Sequence, residues 1–403
     1  MSSSSGNALE TLNAVVSTTL ELITQLHAAV KAISKENLQS SPAAVASAKE
    51  KQQEQQQDAS SSSNSTTTPP PPEALSLAHD SATLIRAHST KISLLIINEP
   101  FTPTAITKVL RELVAGPIPG LASAAQLCTA ERYTQVIRKD LAGHVESVLE
   151  ELQGLLRRVP SDGKVLSGAK KDASVGAAAG KGSIAATGTL WAACDKLMVF
   201  AKRGFAGNLV KKVDEWRETL EDIKQELDEF KEEVEEGGED DDADDDDVNE
   251  VTEGLESTKI SDDQDALDDL MNPTFSREER QKILAQLPPC IKRLRLTILL
   301  FKAVVKRRLK PLSALPPSLD DPNKIPQRLN EIMPLLHKIR EEFNDLAEAF
   351  NCNFEPSERD TLIDQCFLDG FAVAELLAKT WDGQKDEFTD WAMRYQVEIK
   401  IQP

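Results

Sequence analysis

The sequence predicts an all-α protein: an up-and-down helical bundle, then a second helical region after an acidic disordered linker. Three observations carry this. Apolar residues recur at alternating steps of three and four along most of the chain, which places them on single helix faces. No stretch alternates with the period of two that a half-buried strand shows. A Ser/Gln/Pro tract and an Asp/Glu tract interrupt the helical pattern, and 403 residues are enough for two helical regions.

The first helix is expected from about Ala8 to Lys35, with Leu9, Leu12, Val16, Leu20, Ile23, Leu26, Val30 and Ile33 on one face. Residues 1–37 read as a bundle helix, and 38–72 as a disordered linker whose Gln, Ser, Thr and Pro cannot bury enough apolar surface to offset ordering entropy. That linker makes the first helix the best candidate to detach and bind a partner. The next helix, about Glu73 to Ile97, carries Leu75, Ala78, Ala82, Ile85, His88, Ile92 and Leu95 in register. Thr102-Pro103 restarts a short helix in cap-then-proline order, and GPIPG after it reads as a turn. One long helix then runs to about Arg158, followed by a Gly/Ala/Ser/Lys loop over Val159–Ser183 and a short helix through Leu190, Cys194 and Leu197.

Gly204 and Gly207 break that helix, and the most regular pattern in the chain begins: Val213, Trp216, Leu220, Ile223, Leu227, Phe230 and Val234. It is expected to close an N-terminal bundle over 73–234. An acidic disordered linker over 235–273 and a C-terminal helical region over 274–403 follow. Ser276 and Glu279 form a capping box, Pro288-Pro289 is an expected interruption, and helices follow from about Cys290, Pro326, Glu358 and Glu387.

The formal charge of −20 is local. Glu232 to Asp269 holds twenty acidic residues against Lys259 alone, so this segment carries −19 and the rest of the chain about −1. Five cysteines, widely spaced and mostly on apolar stripes, read as reduced thiols. No continuous apolar run approaches the roughly 18 residues of a membrane span, and the N-terminus lacks the pattern of a secretory signal, so a soluble protein of cytoplasm and nucleus is expected.

Motifs for chemistry are absent. GAAAGKGS has Val175 where a P-loop requires its first glycine, and Gly182 where it requires Ser or Thr. The acidic tract has EF-hand-like spacing, but Asp247 stands where the loop needs glycine. The five histidines are dispersed and no His/Cys pair has zinc spacing, so neither metal, cofactor nor catalytic residue is assigned. Lys306, Arg307, Arg308 and Lys310 are a candidate nuclear-import signal. Direct nucleic-acid binding is not expected beside so acidic a segment.

The segment SLLIINEPFTPTAITKVLREL, the short LWAACDKL helix with Trp191 and Cys194 three residues apart, the amphipathic helix and the acidic break resemble the cyclin-D-binding protein (GCIP) family, of which this would be a divergent member. The resemblance implies an all-helical, non-enzymatic regulator of cytoplasm and nucleus whose partners are D-type cyclins and helix-loop-helix proteins. Trp191 and Cys194 are then either core or partner-binding. Two other readings stay open: an acidic histone-type chaperone or scaffold working through the Glu235–Asp247 tract, and a vinculin- or talin-like helical adaptor. Oligomeric state is left open.

Overall fold

A computed structural model describes residues 2–35, 73–166, 182–236, 277–318, 321–351 and 356–400. Among them every regular element is helical. The expected linkers, the Gly/Ala/Lys loop through 167–181 and Ser276 of the capping box lie outside the described residues, apart from Glu235 and Glu236, which are helical. The chain divides into two compact units: Met1–Asn208 with Ser313–Asn330, and Leu209–Leu312 with Glu331–Pro403.

The first unit contains α1 (Ser2–Ser34), α2 (Ala74–Ile97), α3 (Pro103–Ala115), α4 (Pro117–Leu127), α5 (Ala130–Tyr133), α6 (Gln135–Leu156) and the start of α7 (Ser183–Glu236). The first helix is not held apart: α1 packs on α3, α4 and α6, with Leu12, Ile23 and Val30 buried. Ser34 Oγ donates to Glu146 on α6 at 2.9 Å, so the helix is tied to the bundle at its C-terminal end too.

GPIPG is a helix start, not a turn, because Pro117 occupies the first helical turn of α4, where a missing N–H costs nothing. The single long helix expected after it is three. The α-helical pattern ends at Leu127, and at Thr134 the backbone turns to φ 79°, rare for a β-branched residue. The Thr134 side chain caps α6 through the Ile137 N–H, and Gln135 N donates to Asn330 Oδ1 at 2.7 Å. The Tyr133 hydroxyl accepts from Ala74 N and donates to Glu73 Oε1, fixing the start of α2.

The break expected at Gly204 is present, while Gly207 stays helical. Gly204 has φ 72°, Phe205 N donates to the Ala314 carbonyl at 2.7 Å, and a Cβ on Gly204 would meet that oxygen at 2.6 Å. Asn208 Nδ2 closes the bend by donating to the Phe200 carbonyl at 2.9 Å. Beyond it the amphipathic stretch expected to close the N-terminal bundle contributes to the second unit from Leu209 onward.

Its partners there are α8 (Arg277–Val304) and α9 (Ile325–Asn351). Glu221 pairs with Lys302 at 2.8 Å and Asp228 with Arg295 at 3.2 Å. Both members of the two pairs are seven residues apart and in opposite order, so α7 and α8 run antiparallel, in a register that the pairs support. Trp216 meets His337 edge-on at 5.3 Å. The α8 helix passes through Pro288 and Pro289 without the expected interruption. Buried Leu287, Cys290 and Ile291 anchor the turn on both sides, which offsets the cost of about 3 kcal/mol that an interior proline carries.

A π-helical turn, Val305–Leu309, ends this segment and changes the fate of the basic cluster. The expected import signal is not one solvent-facing run. Lys306 and Lys310 are exposed, but Arg308 is 1% exposed. Arg308 donates to both Asp386 oxygens at 2.8 and 2.9 Å, and to the Leu377 and Ala378 carbonyls at the end of α10 (Pro356–Leu377). Its guanidinium lies 4.5 Å from the Phe388 ring of α11 (Glu387–Lys400), and Arg307 pairs with Glu387. A backbone turn with an extra residue is what brings this cation inward, where the orphan carbonyls of α10 need donors.

Among the described residues one helix, α7, is long and apolar enough, by length and composition alone, to cross a membrane. Its Leu190, Cys194, Leu197 and Phe200 are instead buried.

Arg308→Ala is expected to lower stability by about 3 kcal/mol in urea unfolding, because it strands Asp386 and two carbonyls. Hydrogen bonds from Arg308 hold the Asp386 carboxyl down at about 2, against an ordinary 3.8. Since the folded value is the lower one, the pair's contribution is complete above pH 3.8 and is lost as pH falls toward 2; unfolding at pH 6 and pH 3 should differ less in the Asp386→Asn variant. Gly204→Ala is expected to lower the melting temperature more than Gly207→Ala, since only the first combines a left-handed backbone with a clash on a carbonyl.

Candidate protein-interaction surface

The short helix carrying Trp191 and Cys194 is the first part of α7. It lies antiparallel to α2: Thr187 Oγ1 donates to Ser93 Oγ at 3.0 Å, Arg86 Nε pairs with Asp195 at 2.9 Å, and Thr83 Oγ1 meets Met198 Sδ at 3.2 Å. As numbers rise on α2 they fall on α7, so the pairs form one seam. On its other side α7 meets α6, with His144 and Phe200 rings 4.9 Å apart.

The structure separates the two residues. Cys194 is fully buried, and its thiol is pushed up to about 12 by desolvation. Burial raises the Cys290 thiol to about 12 also, and pushes the Cys128 and Cys366 thiols upward. These thiols stay protonated and unreactive near neutral pH. Trp191 is half-buried at the seam, with the Arg86 guanidinium 5.2 Å from its ring. Its indole N–H is buried, with no hydrogen-bond partner among the described residues.

Around it the surface is apolar where a bundle exterior is usually charged. On α2, Leu84 and Leu94 are 48% and 52% exposed; on α7, Ile184 and Val199 are 46% and 55% exposed. Between them lie exposed Ala87, Gly188 and Ala192. Charge enters at the Arg86–Asp195 pair of the seam, at Lys91, which shares the helix face of Leu84 and Leu94, and at Asp80 and Lys196 toward its edges. Such a two-helix face, with an aromatic and an arginine at its centre, has the composition of a protein-binding site.

Reading only the buried stripe of each helix misses these positions. Leu84 and Leu94 fall off the Leu75–Leu95 stripe, and an apolar residue off-stripe is the signal that marks them. His88, on the stripe, is buried and its ring is held neutral by desolvation, with Glu112 at 3.6 Å. Among the described residues no three His, Cys, Asp or Glu side chains gather to hold a metal.

The Grap2 and cyclin-D-interacting N-terminal family model matches residues 78–233, a span that contains the whole α2–α7 seam. An uncharacterized protein of Schizosaccharomyces pombe is 26% identical over 325 residues, 80% of this chain and 82% of that one. No solved structure matches the chain.

In the native protein at pH 8, Cys194 is expected to resist alkylation by iodoacetamide over the minutes in which the urea-unfolded chain reacts fully; peptide mass spectrometry after a timed quench reads this directly.

Proposed function

We propose, from the match of residues 78–233 to the Grap2 and cyclin-D-interacting N-terminal family model, that the chain is a non-enzymatic protein-binding regulator whose partners are D-type cyclins or helix-loop-helix proteins. The observation that carries this reading is the apolar α2–α7 face around Trp191, which lies inside the matched span. A partner helix would lay an apolar stripe along the seam, its contacts spaced by one helical turn. Under this reading the protein works in cytoplasm and nucleus.

Magnitudes say which residues matter. Leu84, Leu94, Ile184 and Val199 are each about half exposed, so covering one contributes on the order of 1 kcal/mol. Four such terms only match the low end of the cost of association, about 4 kcal/mol. Useful affinity therefore requires the centre of the face, where Trp191 and Arg86 are the aromatic and cationic anchors of a hot spot.

The test is a titration of purified full-length protein against a D-type cyclin and, separately, a helix-loop-helix domain. Leu84→Glu with Val199→Glu is expected to weaken binding at least tenfold while leaving the circular dichroism spectrum unchanged, and Trp191→Ala to weaken it further. Unchanged affinity in the double variant would overturn the assignment of this face.

A further inference from the structure

The second unit has an interaction surface of opposite character. A groove of about 540 Å³ runs between α7 and α8. Its floor is apolar: Ile298 is buried and Leu299 is 49% exposed. A leucine on a helix exterior, flanked by Arg295 and Lys302, is where a partner's apolar side chain would seat.

The rim defines what that partner must be. On the α8 side Arg295 pairs with Asp228 and Lys302 with Glu221, while Lys292 and Lys306 stand exposed seven residues to either side of Leu299, so that side of the groove is cationic. On α7, Arg217, Lys224 and Lys231 are half-buried and folded onto acids three or four residues away. What remains outward on α7 from Val213 to Glu235 is acidic but for Gln225, which donates to Glu229. Every other fully exposed position there is Glu or Asp. Glu229 and Glu232 line the groove itself, and Asp222, Glu226 and Glu233 continue the ridge.

We propose that this groove docks an amphipathic helix that presents Leu or Ile on one face and Lys or Arg on the flank that lies over α7. Apolar contact with Leu299 supplies the seat, and the cationic flank meets the acidic ridge of α7. The repeat of the ridge, steps of three and four, matches the repeat of a helix laid alongside it. A neutral or acidic helix would leave the ridge desolvated and unpaired, so charge selects the partner as well as attracting it. This surface is separate from the α2–α7 face, and the proposal does not rest on the function assigned there.

The probe is a fluorescein-labelled synthetic helix of 21 residues, with Leu at steps of three and four and Lys along one flank. Anisotropy on the full chain is read at low and high salt. Binding is expected to weaken at least tenfold for E229K/E232K, for Leu299→Asp, and for a peptide with its Leu replaced by Ser, and to fall with ionic strength. L84E/V199E should leave it unchanged. Two results overturn the proposal: affinity within twofold of wild type in both E229K/E232K and Leu299→Asp, or complete loss when only the acids between residues 239 and 247 are changed to Asn and Gln. Leu299→Ser, milder in the floor, repeats the apolar arm if the Asp variant unfolds.

Discussion

Gly204 is the residue on which the division of this chain depends. At φ 72° it takes a conformation that costs other residues, and the Ala314 carbonyl occupies the space a side chain would need. The helix on its N-terminal side buries Leu190, Cys194, Leu197 and Phe200 in one unit. The helix beyond it buries Leu209, Val213, Leu220 and Leu227 in the other. A straight helix would hold both stripes in one phase. One glycine and the hydrogen bond from Phe205 to Ala314 allow a continuous stretch of sequence to serve two cores.

Within the second unit, charge adds to what apolar packing selects. Apolar stripes repeating at three and four allow several registers on paper, and interdigitation of the buried side chains does most to select one; the surface pairs add to that choice. Pairing Glu221 with Lys302 and Asp228 with Arg295 ties α7 to α8 in that register. Arg308 does the same for the end of α10 and the start of α11, reaching two carbonyls and one carboxylate from a buried position. Lys338 bridges Glu342 at 2.9 Å and Asp369 at 2.6 Å, both carboxylates largely buried. Glu342 is pushed up by that burial, against the pull of the lysine, so this cluster is costly to desolvate and acts through position more than through net stability.

The two exposed faces follow from the same economy of sequence. Where α2 and the first half of α7 meet, apolar residues remain outside after the core is filled, and a half-buried tryptophan sits among them. Where α7 faces outward beyond Val213, Arg217, Lys224 and Lys231 are turned onto neighbouring acids and, Gln225 apart, the exposed positions are carboxylates. One helix thus offers an apolar surface in one unit and an acidic one in the other.

The helices themselves, their buried stripes, the break at Gly204 and the concentration of charge were legible in the sequence, because helical period, glycine's freedom and net charge are local properties. The family resemblance too rested on local features, Trp191, Cys194 and the acidic break. What α7 packs against beyond Leu209 was not legible: an apolar stripe states that it will be buried, not by which partner. The same limit hid the inward turn of Arg308, which depends on a π-helical turn and on carbonyls some seventy residues away in sequence. The splitting of the expected long helix at Thr134 involves Asn330, 195 residues from Gln135 in sequence. Local chemistry determined which elements form and which face each buries. Long-range contacts alone decided which unit each element joins, and which residues were left exposed to meet a partner.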